Sequence, residues 1–155
     1  MNLLESVSTV FSKYATFSGR ASRSEFWWYQ LFYLVIVGVP LAFISETLDN
    51  LWSLLNFLPS VAVSCRRLHD IDKSGWWQLL PLAVLPIFLL GFALRSFDFT
   101  TYVTGIFESP MAWAGIVLGI GLFILLIVWF ARQGTPGPNR FGQDPFGRID
   151  ASVFD

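Results

Sequence analysis

The sequence predicts an all-α integral membrane bundle of four transmembrane helices, N-in/C-in, preceded by an amphipathic N-terminal interfacial helix. Three observations carry that expectation. The 155-residue chain is 54% hydrophobic and only 14% charged, whereas soluble domains run near a quarter charged. Its apolar residues are gathered into four long runs. Its basic residues divide nine to one between alternate connections, as they do when positive residues stay on the cytoplasmic side.

The first element is residues 2–15, where Leu3, Leu4, Val7, Val10, Phe11 and Tyr14 recur at helical spacing opposite Glu5, Ser6, Ser8, Thr9 and Lys13. Asn2 followed by Glu5 reads as a capping box. Such a helix either lies in the inner interface with its apolar face in lipid or packs on the cytosolic ends of its neighbours. The apolar runs follow at 26–44, 48–64, 76–94 and 111–131. A crossing takes about 20 residues, so the second is marginal by length and the others qualify outright. No cleavage pattern precedes the first run, which is expected to act as an uncleaved anchor. Pro40, Pro59, Pro81 and Pro86 each remove a backbone donor, so kinks are expected. Gly115 and Gly119 form a GxxxG step suited to close helix approach, a candidate homo-oligomer face. Gln30, Asn56 and Gln78 are read as interhelical hydrogen-bonding residues, and the tryptophans near the run ends as interfacial belts. The tail, 132–155, is rich in Gly and Pro and predicts turns without regular structure, with Phe141 and Phe146 as anchors. All of this is read as one membrane domain, 1–155.

Lys13, Arg20, Arg23, Arg66, Arg67, Lys73, Arg132, Arg140 and Arg148 fall on one side and Arg95 alone on the other. Both termini and the loop Ser64–Trp77 are therefore expected in the cytosol, in a bacterial inner membrane. Glu46, Asp49, Asp98 and Glu108 gather on the far side. The net charge of −1 points away from nucleic acid, and membrane lipids, anionic head groups among them, are the expected partners. A single cysteine permits no internal disulfide.

The loop SCRRLHDIDKSGWW, Ser64–Trp77, holds the only cysteine and the only histidine. Together with GRASRSEFWW (Gly19–Trp28) and GTPGPNRFGQDP (Gly134–Pro145), it places three polar segments at one membrane surface. These three motifs, in this order around four apolar runs, resemble the bacterial inner-membrane family known as domain of unknown function 805, over about Phe17–Phe146. The resemblance implies a multi-pass inner-membrane protein and no agreed activity. One departure is Asp72, where the family commonly has Gly; Asp tolerates the left-handed conformation better than most residues.

The candidate anion- or partner-binding residues are Arg20, Arg23, Glu25, Arg66, Arg67, His69, Asp70, Ser74, Trp76, Asn139 and Asp144. Orientation needs the basic residues alone, and acidic groups contribute little to it. The interleaved carboxylates therefore predict a paired network, either riveting the three segments or leaving an Arg fork free for a phosphate or carboxylate. Cys65 and His69 are only two ligands beside two arginines, so no metal site is expected. No cofactor is expected, nor a catalytic residue, since no nucleophile elbow or phosphate loop accompanies these residues. His69, near carboxylates, is expected to favour its charged form. The function expected is a non-enzymatic binding or scaffold protein; the rival is a small transporter, channel or lipid-moving protein gated by the same cluster.

Overall fold

The computed structural model describes residues 1–94 and 110–148. The expected outer connection, apart from Pro110, and the chain end from residue 149 lie outside the described residues. Among those described there is no β-strand, only one antiparallel bridge between Asn139 and Gly142. The chain divides into two compact units: residues 1–77 with the tail from Trp129, and residues Gln78–Val128.

In the first unit, α1 spans Leu3–Ser12, and its capping box is complete. Asn2 Oδ1 accepts from the Glu5 N–H at 2.9 Å, and the Glu5 carboxylate accepts from the Asn2 N–H at 3.0 Å. Ser6 and Val10 are fully buried, whereas Leu4 is 79% exposed. Ser6 can face the neighbouring helix because its hydroxyl is satisfied locally, donating to Asn2 O at 2.8 Å. Phe11 meets Tyr29 edge-to-face with centroids 6.1 Å apart. Through this face α1 touches the segment that holds Ser24 and Tyr29.

The first apolar run is one helix by length and composition, Arg23–Ile44, with an internal change of register. It begins as α2 (Arg23–Gln30), capped by Ser22. It widens into a π-helical segment, Leu31–Gly38, and resumes as α3, Val39–Ile44. Pro40 explains the change: it has no N–H, and its ring crowds the carbonyl four residues back. The wider turn is met at Val39, whose N–H donates to Leu34 O. A Cβ on Gly38 would stand 2.8 Å from Tyr33 O, so this wide turn leaves no space for a side chain there.

Ser45 caps α4, which runs from Glu46 to Asp70 over 25 residues, about 37 Å at ~1.5 Å per residue. Asn56 accepts from the Tyr29 hydroxyl at 3.0 Å and donates to Trp52 O at 2.9 Å, an interhelical bond of the kind expected of it. Val10, Ala21, Phe26, Tyr29 and Val63 form the buried core, with Tyr33 and Phe130 against it. The third apolar run is not a continuous α-helix. Gly75–Val84 is 3₁₀ and only Leu85–Leu94, α5, is α-helical. Pro81 and Pro86, five residues apart, each delete a backbone donor, which favours the tighter winding.

In the second unit, α6 (Pro110–Ala131, whose last residues belong to the first unit) brings Gly119 close to Val84. A Cβ on Gly119 would lie 3.6 Å from that side chain. One glycine of the GxxxG step thus serves packing inside the chain.

Arg23–Ile44 and Ala112–Ala131 are each long and apolar enough to cross a membrane, and α4 taken with Gly75–Leu90 as one broken span makes a third. The coarser expectation, an all-helical chain with membrane-crossing helices, holds. The second run as bounded from sequence contains Asp49, so it is less apolar than its length suggests.

Candidate functional site

The C-terminal end of α4 carries most of the candidate residues, and its termination positions them. The Lys73 N–H donates to Leu68 O at 2.9 Å and the Asp72 N–H to His69 O at 3.0 Å. That pairing is a Schellman motif, whose turn residue takes the left-handed conformation and is usually Gly. Here it is Asp72, at φ 57°. The departure noted in the sequence is therefore accommodated by the one ordinary side-chain class that tolerates this geometry.

Asp70, 1% exposed, is the centre of the cluster. Arg20 Nε donates to its Oδ1 at 2.9 Å and Arg67 Nη1 to its Oδ2 at 2.5 Å. The other nitrogens of both guanidinium groups donate to backbone carbonyls. Arg67 donates to Phe130 O at 2.9 Å and to Arg132 O, and Arg20 to Gly137 O at 2.7 Å and Thr135 O at 2.6 Å. Two buried cations thus share one carboxylate, with carbonyls from the C-terminal ends of α4 and α6 close by. Helix C-termini carry partial negative charge and orphan carbonyls, so they supply part of the missing compensation.

The tail completes the cap. The Thr135 N–H donates to Asp70 O at 2.9 Å, and Asn139 Nδ2 donates to His69 O at 2.9 Å. A Cβ on Gly134 would overlap the Asp70 carboxylate, so only glycine passes there. Phe141 stacks on the His69 ring with centroids 3.8 Å apart. Phe146, expected as a second anchor, is instead 56% exposed and lies beneath Arg148. Arg148 Nε donates to Asp144 Oδ2 at 2.7 Å. Burial would raise the Asp144 carboxyl, but the bonds from Arg148 and the Phe146 N–H outweigh it and hold the group below its ordinary range.

His69 corrects the expectation of a charged imidazole. Its ring is paired with Cys65 Sγ at 3.5 Å and Gly19 O at 3.1 Å, with no carboxylate bonded to it among the described residues. Burial pushes its pKa down, the Gly19 carbonyl opposes this, and the positive charge of Arg140 adds to the depression.

A second ion pair stands apart from Asp70. Arg66 Nη1 donates to Glu25 Oε1 at 2.6 Å, and both residues are buried. The Arg66 Nε and Nη2 have no partner among the described residues. The Ala21 N–H donates to Arg66 O at 2.9 Å and ties the first motif to α4. The three polar segments expected to converge therefore do meet, through Arg20, Glu25, Arg66, Arg67, His69, Asp70 and Asn139. Asp144 pairs within the tail. Ser74 accepts from the Trp76 N–H at 3.4 Å, and Trp76 is 79% exposed, outside the cluster. Lys73, which was not among the candidates, lies over the Trp129 ring at 4.3 Å.

Arg23 is exposed and has no side-chain ion pair or hydrogen bond among the described residues. It opens a groove of about 710 Å³ with Ser24 and Gln30, walled by Trp27, Trp28, Leu31, Leu34, Val35 and Ala131.

These features define a small helical protein with membrane-crossing segments and a cap of buried charged residues at one end of its helices. The chain belongs to the family described as protein of unknown function (DUF805), which matches residues 14–143. It is 31% identical over 147 residues to "Inner membrane protein YhaI" of Escherichia coli (strain K12), covering 88% of this chain and 92% of that protein. It is 30% identical over 151 residues to "Inner membrane protein YhaH" of the same strain, with the same shares covered. "Uncharacterized protein YiiR" of that strain is 25% identical over 134 residues, 83% of this chain and 85% of that protein. No solved structure matches the chain.

Proposed function

We propose that this protein is a non-enzymatic bacterial inner-membrane protein that holds an anionic phospholipid at its cytoplasmic boundary, with both termini in the cytosol. The observation that carries the reading is the groove below Arg23. Its lining residues 23/24, 27/28, 30/31 and 34/35 recur once per turn, so they form one continuous face of the first span. From Arg23 to Val35 that face is about 18 Å long at ~1.5 Å per residue, enough for most of an acyl chain. An unpaired guanidinium at one end and an apolar trough beneath it complement a lipid phosphate and its tail. Arg132, exposed and with no side-chain partner among the described residues, follows the lining residue Ala131. The names of the two inner-membrane relatives support the location, and the nine-to-one charge distribution supports the orientation.

Within this reading the arginines divide their labour. Arg20 and Arg67 fasten the cap, because each of their guanidinium nitrogens is already bonded within the protein, and Arg23 and Arg132 face the lipid. The test is native mass spectrometry of protein extracted in bacterial lipid, comparing wild type with Arg23→Gln and Arg132→Gln. A basic residue near an anionic surface contributes about 1 kcal/mol, so each substitution should lower retained phosphatidylglycerol or cardiolipin by about fivefold at unchanged melting temperature. Equal retention by all three proteins would refute it.

A further inference from the structure

The opposite end of the first unit carries a different chemistry. Between the π-helical segment and the start of α4 lies a cavity of about 280 Å³, with Tyr33, Gly38, Asp49, Trp52 and Ser53 in its lining. Asp49, Trp52 and Ser53 stand at i, i+3 and i+4 on α4, one face of that helix. The Tyr33 and Trp52 rings are 6.4 Å apart at 29°. The Trp52 indole is held in place by donating to Tyr33 O at 3.3 Å, so the aromatic wall is fixed before any ligand arrives. Asp49 is half-buried and has no side-chain hydrogen bond or ion pair among the described residues.

An acidic residue in the first turn of a helix is favoured by the helix dipole, and the exposed Glu46 needs no further reason. Asp49 differs because it lines an aromatic-walled cavity. A carboxylate sharing one lining with Trp and Tyr suits an organic cation, whose charge is attracted by both the anion and the ring quadrupoles. The size limits the ligand: 280 Å³ falls just below the roughly 300–1,000 Å³ of sites for drug-sized molecules.

We infer that the Asp49–Trp52–Tyr33 cavity binds a small alkylammonium group. Its source is either a free organic cation or the ethanolamine head of a phospholipid, since both present the same charge on a short carbon frame. The site is independent of the anionic-lipid groove, because it shares only Leu34 with that groove's lining.

The experiment titrates detergent-solubilised protein with tetramethylammonium chloride at constant ionic strength and follows the Trp52 indole N–H resonance, assigned by its loss in Trp52→Phe. That signal should move saturably while the other indole signals stay put. Asp49→Asn keeps the cavity's volume and removes its charge; it should weaken the titration at least tenfold at a melting temperature near that of wild type. tert-Butanol, a neutral probe of similar bulk, should leave the signal unmoved. Absence of a saturable shift, an equal response to tert-butanol, or unchanged affinity in Asp49→Asn would each overturn the inference. Nanodiscs separate the sources. Suppression of the titration by phosphatidylethanolamine, relative to phosphatidylglycerol alone, assigns the site to the lipid head; an unsuppressed titration assigns it to the free cation.

Discussion

Replacing Asp70 by Asn tests whether the charged cap is a fastener. The carboxylate is the only one bonded to Arg20 and Arg67 among the described residues, and all three side chains are at most 1% exposed. Asn keeps an acceptor oxygen but strands two buried guanidinium groups without their counter-charge. Breaking a buried pair by removing one partner costs about 3–5 kcal/mol. At roughly 2–4 °C per kcal/mol for a chain of this length, the melting temperature should fall by about 6–20 °C. The matched control is Asp72→Asn. Its pair with Arg140 is 48% and 62% exposed, and exposed pairs contribute only about 0–1 kcal/mol. Thermal scans in one detergent, with limited proteolysis after Arg132, read both stability and release of the tail. The double variant Asp70→Asn/Arg67→Gln should recover part of the loss, since the stranded cation is gone. A shift under about 2 °C for Asp70→Asn, with the tail still protected, would show that the carboxylate does not balance the two arginines.

Three further outcomes follow from particular residues. Gly134→Ala drives a Cβ into the Asp70 carboxylate and should destabilise by about 1–3 kcal/mol; Gly121→Ala, which meets open space inside α6, should be neutral or stabilise by up to about 1 kcal/mol, both read by thermal scan. His69 has its pKa lowered below 6.5 in the fold, so the unfolded chain binds the proton more readily. Its contribution is then fully present above about pH 6.5 and is lost as pH falls through the folded value. Melting temperature should therefore drop on mild acidification, and His69→Gln should flatten that dependence. Single cysteines at Ser18 and Gln143, in a Cys65→Ser background, should be labelled from the cytosol and one at Ser45 from the other side; cytosolic labelling of Ser45 would reverse the orientation.

How much of this was legible follows from what kind of interaction each feature uses. The helices and the Asn2–Glu5 cap are local, so spacing and residue type predict them. The pairing of Glu25 with Arg66 was also legible, because carboxylates interleaved with basic residues contribute little to orientation. The partners of Arg67 were not, because Phe130 O and Arg132 O are backbone atoms that any residue would supply. Gly134 was read only as a turn glycine, although its lack of a Cβ is what admits Asp70. His69 was misread because adjacency in sequence to Asp70 is not adjacency in space. On a helix, neighbouring residues diverge by about 100°, and its ring turns to Cys65 and Gly19. The Asp49 cavity left a faint signal, an acidic residue three before a tryptophan, which becomes meaningful only once Pro40 is seen to widen the facing helix.

The concentration of polar residues in Ser64–Trp77 then has a physical cause in how the helices end. α4 and α6 end beside each other, and each end leaves carbonyls that a helix cannot satisfy itself. At the edge of an apolar bundle these carbonyls are partly shielded from water, so donors must come from the protein. Arginine suits the task because one rigid fork serves several acceptors while its charge complements both helix ends. Two such forks bring an excess of positive charge, and Asp70 offsets it from the same helix turn as Arg67. The tail is drawn in by the same need, since the Thr135 N–H and Asn139 amide cap the carbonyls of Asp70 and His69. Arg20 and Arg67, read from sequence among the residues that orient the chain, are thus the groups that close its helix ends.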